Sequence, residues 1–203
     1  MSFGRLAVRV VIGGLFIGHG TQKLAGWFGG SGLEGTDKMM AAVDMYPVRR
    51  NAIAVGVTET AGGALLIAGG ATPLAAAGLI GSMTTAVRKV HGKNGPWNSN
   101  RGWELNAIIV AALTLLVEAG PGRPSVDAAL GRVKSGPGWA LAALGAGVAG
   151  SAALVELGRR AAQRAREQAA SASAASTGTA SDAAAESDAA AASDASEGAA
   201  SGA

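Results

Sequence analysis

Residues 52–68 read AIAVGVTETAGGALLIA, apolar or small throughout except for one carboxylate, Glu59, about halfway along. A run of this length and character reads as a membrane span. Ionised at that depth, a Glu costs several kcal/mol, by analogy with the ~2.5–3.5 kcal/mol of Asp, Lys or Arg at a helix centre. Glu59 is therefore expected to face a protein interior, with a partner or a proton, as a candidate functional residue. The structural alternative is a Glu that stays protonated and bonds a neighbouring helix.

Working outward, four more stretches are long and apolar enough to span: roughly Arg5–Leu24, Pro73–Val87, Trp103–Ala119 and Gly138–Leu157. The third is short and is expected to continue through Arg88–His91 into the interface. Gly69-Gly70-Ala71-Thr72-Pro73 makes a tight turn, so the second and third spans form an antiparallel hairpin. The first span resembles a signal peptide in its apolar run, but GHGTQK follows where a small-x-small site would stand, and no cleavage is expected. Gly14-Leu-Phe-Ile-Gly18 is a GxxxG pattern, and Gly145, Gly147 and Gly150 make the fifth span similarly small-faced.

Composition agrees. Mean hydropathy is positive at +0.29, 49% of residues are hydrophobic, and the 32 glycines lack a three-residue period. With no cysteine, disulfides, thiolate catalysis, Cys-ligated clusters and thiolate zinc sites are excluded on this chain. All 17 Lys and Arg precede residue 168, as do nine of the 14 acids. The basic balance thus belongs to loops beside the spans and carries no nucleic-acid footprint. From Gln168 onward only Ala, Ser, Asp, Glu, Gly, Thr and Gln occur, a composition expected to be disordered. Arg159, Arg160, Arg164 and Arg166 just before it suit a stop-transfer or headgroup-binding cluster.

Depth arithmetic sorts the polar residues. Let side A be where the first span begins and side B the opposite face. At ~1.5 Å per residue, Arg9 lies ~6 Å and His19 ~21 Å from the start of span one, while Glu59 lies ~20 Å above A. His19 is therefore the expected partner of Glu59, and Arg9 is expected to snorkel toward side A. Lys23, Arg88, His91 and Glu104 also fall at side B, with Trp27, Trp97 and Trp103 as an aromatic belt. Both histidines thus join two carboxylates and several bases at one end of a bundle. Such a cluster suits proton transfer between Glu59 and His19, or a quinone headgroup held by His19, Lys23 and His91. A divalent metal is less suited, since no close ligand spacing such as Glu-x-x-His occurs. Lys23, Arg88 and Lys89 also suit plain headgroup contacts.

The order of motifs resembles the DoxX family. It runs through Arg9, His19-Gly20-Thr21-Gln22-Lys23-Leu24, Gly29-Gly30-Ser31-Gly32-Leu33, Glu59-Thr60-Ala61-Gly62-Gly63, Gly70-Ala71-Thr72-Pro73-Leu74 and Gly102-Trp103-Glu104. Gly120-Pro121-Gly122-Arg123-Pro124-Ser125-Val126-Asp127 closes it, so that the resemblance covers about residues 3–130. It implies an all-α integral membrane bundle with a four-helix core. It also implies a part in membrane redox chemistry, as a quinone-linked oxidoreductase subunit passing electrons from thiosulfate or a small thiol to quinone. The family's polar signature falls here on Arg9, His19, Lys23, Glu59, His91 and Glu104. Glu59 and His19 are then the candidate catalytic pair, and Lys23, His91, Glu104 and Arg88 the candidate substrate-binding residues. No flavin, haem or nicotinamide motif is visible.

The fifth span and the tail depart from the family pattern. The expected domains are a four-span unit over 1–135, a further span over 136–158, and a basic segment with the Ala/Ser/Asp-rich tail over 159–203. Most bases fall on side B, which the positive-inside rule makes cytoplasmic, with the N-terminus outside and the tail inside a bacterial plasma membrane. The expected partners are the lipid bilayer, quinone, soluble redox subunits and further copies of the chain. A small-solute or anion transporter, and a membrane scaffold for soluble partners, remain rival functions for the same residues.

Overall fold

The computed structural model describes residues 3–172. The expected disorder of the tail falls, beyond its first few residues, outside the described part. Chain contacts divide into two units, Met1–Ala161 and Ala162–Ala203. The first holds the bundle; the described part of the second is helical and carries Arg164 and Arg166.

The helices are α1 (Phe3–Ala25), α2 (Gly32–Ala42), α3 (Val48–Ala68), α4 (Thr72–Ala86), α5 (Glu104–Ala119), α6 (Val126–Ala129) and α7 (Pro137–Ala172). Among the described residues there is no strand. Three helices are long and apolar enough to cross a membrane: α1 with 23 residues, α3 with 21 and α7 with 36. The 15 residues of α4 extend through a π-helical turn, Val87–His91. The 16 residues of α5 rise ~24 Å, somewhat short of a ~30 Å hydrocarbon core.

Local chemistry sets the helix ends. Gly69 closes α3 at φ 64°, a left-handed conformation that costs glycine nothing, and its N–H is directed at the Leu65 and Leu66 carbonyls. Three residues later Thr72-Pro73 opens α4, where the missing proline N–H would have had no helical partner. Asp127 supplies the remaining acceptors: its carboxylate takes the Ala71 N–H at 2.8 Å, the Thr72 N–H at 3.0 Å and the Thr72 hydroxyl at 2.8 Å. A residue more than fifty positions away thus caps α4 and fixes the α3–α4 hairpin to the end of the bundle.

Helices α1 and α3 make the closest crossing, and glycine makes it possible. A Cβ on Gly13 would lie 2.6 Å from the Gly63 carbonyl oxygen, and one on Gly20 would lie 2.7 Å from the Gly56 oxygen. The GxxxG pair of the sequence does not mediate this contact, since Gly14 and Gly18 have nothing within 4 Å of an added Cβ. In α7 Gly147 meets Ile80 of α4 and Gly158 meets Met45, whereas Gly145 and Gly150 have nothing within 4 Å of an added Cβ.

The core joins Phe16 of α1, Leu66 of α3, Leu79 and Ile80 of α4, and Leu113, Leu116 and Val117 of α5. Ala140 and Ala143 of α7 belong to the same cluster. The segment after α1, unassigned from the sequence, contains α2. Its 11 residues are too few to span, and it buries Thr36 and Met40. The Thr36 hydroxyl donates to the Lys23 carbonyl at 3.0 Å, which docks α2 on the end of α1.

Candidate functional site

Glu59 is 3% exposed on α3, facing α1 on one side and α4 on the other. Its Oε2 accepts from Lys23 Nζ at 2.5 Å and its Oε1 from Ser82 Oγ at 2.7 Å. The buried carboxylate therefore has a charged donor and a neutral one, the arrangement that offsets desolvation of a charge. Lys23 is the partner, and the expected His19 pairing is corrected. Side chains on a helix lean toward its N-terminus, so Lys23 reaches back a full turn to the depth of His19. Its ammonium also lies 3.4 Å from the His19 carbonyl oxygen. His19 itself holds Gln22, with Nδ1 3.1 Å from Oε1.

A cavity of about 950 Å³ opens beside this triad. Lys23, Glu59, Ser82, Asn106, His19 and His91 bring polar atoms to a lining that is otherwise mainly apolar. Met39, Met40, Met45 and Met83 all line it. Unbranched, polarizable thioethers give walls that adapt to a ligand. Lys89, Val90 and His91 enter the wall from the π turn, a feature often found at functional sites. Of α7, Gly147 and Ser151 take part, and the Ser151 hydroxyl lies 2.8 Å from that of Thr85 on α4.

The expected cluster at side B separates into three groups. Lys23, Glu59, His19 and His91 share the cavity, whereas Arg88 and Glu104 do not line it. Arg88 is exposed on the π turn. Glu104 organises the loop before α5, its Oε1 accepting the Asn98 N–H at 2.6 Å. His91 also has a loop partner, with Nδ1 2.8 Å from the Arg101 carbonyl oxygen.

Arg9 corrects another expectation. It does not snorkel: it is 2% exposed. Its Nε donates to the Leu66 carbonyl at 2.9 Å, and Nη1 donates to Pro121 at 3.0 Å and Pro124 at 2.7 Å. Nη2 donates to the Ile67 carbonyl. A planar cation with five donors satisfies the α3 terminus and the loop after α5 together. Its acceptors lie at the side-A end of α3, about two turns beyond Glu59, so the two do not pair, as depth anticipated.

Sequence reasoning missed Ser82 and Asn106. Ser82 was within reach of the depth argument. Counted from the Gly69–Pro73 turn, it lies ten residues into α4, ~15 Å above side A, and Glu59 lies nine residues before the end of α3, ~14 Å above A, where the count from side B puts Glu59 ~20 Å above A.

Apolar spanning helices around a buried ion pair and a cavity define an integral membrane protein built as a helical bundle. The DoxX family model matches residues 4–92, from the start of α1 through the π turn, so this segment is similar to the DoxX family. Glu59, Lys23, Ser82, His19 and His91 all lie within the matched segment, while α5 and α7 lie beyond it. No curated protein and no solved structure matches the chain.

Proposed function

We propose that the cavity binds a quinone ring and that Lys23, Glu59 and Ser82 manage the protons of its redox cycling, within a membrane assembly oxidising thiosulfate or a small thiol. One observation carries this reading: a buried, ion-paired carboxylate faces a largely apolar cavity of about 950 Å³ between membrane helices. That volume falls within the usual range of small-molecule sites, ~300–1,000 Å³. The residues fit such a ring, which needs donors at two carbonyl oxygens and an apolar surround. Lys23, His19, His91 and Asn106 offer donors, and the methionines and Phe16 offer the surround.

When bound, a quinone supplies two-electron, two-proton chemistry. Lys23 holds a proton at Nζ, between the cavity and Glu59. Glu59 balances that charge and can return a proton to Nζ through the same hydrogen bond. Ser82 fixes the second carboxylate oxygen, so Glu59 keeps its orientation through a cycle. Electrons enter from a partner subunit that oxidises the sulfur donor. The concentration of bases toward side B supports a cytoplasmic side B under the positive-inside rule. The domain division proposed alongside is a four-span unit over 1–135 followed by the added α7.

Native mass spectrometry with lipid extraction tests this reading, comparing wild type with Glu59→Gln and with the milder Ser82→Ala. Near-stoichiometric quinone in the wild type, reduced at least tenfold in folded Glu59→Gln, is the expected result. Ordinary lipids alone in a folded wild type would refute the reading and favour a solute transporter.

A further inference from the structure

The cavity reaches the surface at several places, and its large apolar lining residues are most exposed along one seam of the bundle. On α1 the positions Arg5, Ile12, Leu15 and His19 are spaced by seven, three and four residues and share a face. On α5, running the other way, Leu105, Ile108, Ala112 and Ala119 are spaced by three, four and seven residues and likewise share a face. The two faces are fastened at side A, where Arg5 Nη1 donates to the Ala119 carbonyl at 2.6 Å. Arg9 reinforces this end through Pro121 and Pro124, just beyond α5.

From that fastening, Leu15 is ten residues along α1 and Ile108 eleven back along α5, so each lies ~15–17 Å above it. The two residues therefore share a depth near the middle of a ~30 Å hydrocarbon core. Both line the cavity, yet Leu15 is 57% and Ile108 63% exposed. Side chains that touch both the cavity and the outside mark its mouth. Toward side B, His19 and Leu105 continue the same exposed lining. The α1–α3 seam offers no such opening, because Gly13 and Gly63, and Gly20 and Gly56, bring those backbones into contact.

We infer that the α1–α5 seam is a lateral portal through which a lipid-soluble ligand passes from the bilayer to Lys23 and Glu59, its apolar tail lying between Leu15 and Ile108. Under the reading above, that ligand is a quinone with an isoprenoid tail. A mouth at this depth opens onto acyl chains, which a tail enters without desolvation and a water-soluble solute does not.

The absence of cysteine makes the test direct. The Leu15→Cys/Ile108→Cys variant, in phosphatidylcholine vesicles, is bridged with a short bis-maleimide, and each single variant is capped with a mono-maleimide as control. A fatty acid bearing a diazirine in its chain is then photolysed, and its adducts are mapped by mass spectrometry. Adducts on the cavity-facing segment 82–90 in unbridged protein, falling at least tenfold on bridging but not on single capping, are expected. Cavity adducts that persist after bridging would overturn the portal, as would their absence before it or failure of the thiols to bridge. Quinone extraction from the wild type judges the ring site separately. Lipid adducts without quinone sink the quinone reading and keep the portal; quinone with bridging-insensitive adducts does the reverse.

Discussion

Replacing Arg9 separates a buried lock from a snorkelling cation. The guanidinium donates to four carbonyls, those of Leu66, Ile67, Pro121 and Pro124. Leu66 keeps a second donor, the Gly69 N–H at 3.1 Å, so at most three carbonyls lose their partner in Arg9→Met. At ~1–3 kcal/mol for each buried group left unpaired, the ceiling is ~3–9 kcal/mol. Relief from burying the cation and entry of water from side A reduce this, leaving roughly 3–5 kcal/mol, the usual loss on breaking a buried charged contact. For a chain of this size that corresponds to a fall in Tm of about 10 °C, at ~2–4 °C per kcal/mol. Intrinsic tryptophan fluorescence during thermal unfolding in detergent micelles reads it. Arg9→Lys is the sharper variant. A lysine keeps the charge but presents three donors from one point and cannot reach four carbonyls in one plane. The lock predicts that Arg9→Lys loses most of what Arg9→Met loses, whereas a snorkelling residue would tolerate it. Wild-type Tm in Arg9→Lys would refute the assignment.

Two further outcomes follow from the same geometry. Gly20→Ala places a Cβ 2.2 Å from Thr60 Oγ1 and 2.7 Å from the Gly56 carbonyl. It should cost ~1–3 kcal/mol or more by overpacking, while Gly18→Ala, with nothing within 4 Å, should be neutral or slightly stabilising; paired melting curves check both. Lys23→Met leaves Glu59 without its charged partner and should cost about 3 kcal/mol, the lower end for a buried pair because the Lys23 side chain is 23% exposed. The Lys23→Met/Glu59→Gln double variant should lose clearly less than the two singles combined, and additive losses in denaturant titration would argue against direct coupling.

How much of this was legible depended on the range of the interaction. The spans follow from runs of apolar residues, so α1, α3, α4 and α5 begin and end close to where hydropathy and the Gly69–Pro73 turn place them, while α7 begins as expected but runs past Leu157 through the arginine cluster to Ala172. Helix α2 escaped because Gly32–Ala42 has only Leu33, Met39 and Met40 as large apolar residues among glycine and charge, too weak a periodicity to stand out. The glycine interface was present in another form. Gly13 and Gly20 are seven apart on α1, as are Gly56 and Gly63 on α3, and antiparallel packing matches Gly13 with Gly63 and Gly20 with Gly56. A single-helix GxxxG pattern cannot say which face meets a partner; two matched repeats on successive spans can. The role of Arg9 was not accessible. Its acceptors are main-chain carbonyls up to 115 positions away, which leave no residue signature.

The Glu59 partner shows why depth alone was insufficient. Counting rise per residue compares Cα positions, but a lysine side chain extends ~6 Å and leans back along its own helix. His19 and Lys23, one turn apart, therefore compete for the same level, and the longer side chain reaches across to α3. This leaves His19 exposed at the cavity edge with Gln22. The polar groups thus form two layers, Glu59 with Ser82 and the Lys23 ammonium deep in the bundle, and His19 and His91 nearer side B. A single site with six interchangeable polar residues would tolerate the loss of any one. Two layers would not, because Lys23 is the charged partner of the buried carboxylate and also borders the space where a ligand would sit.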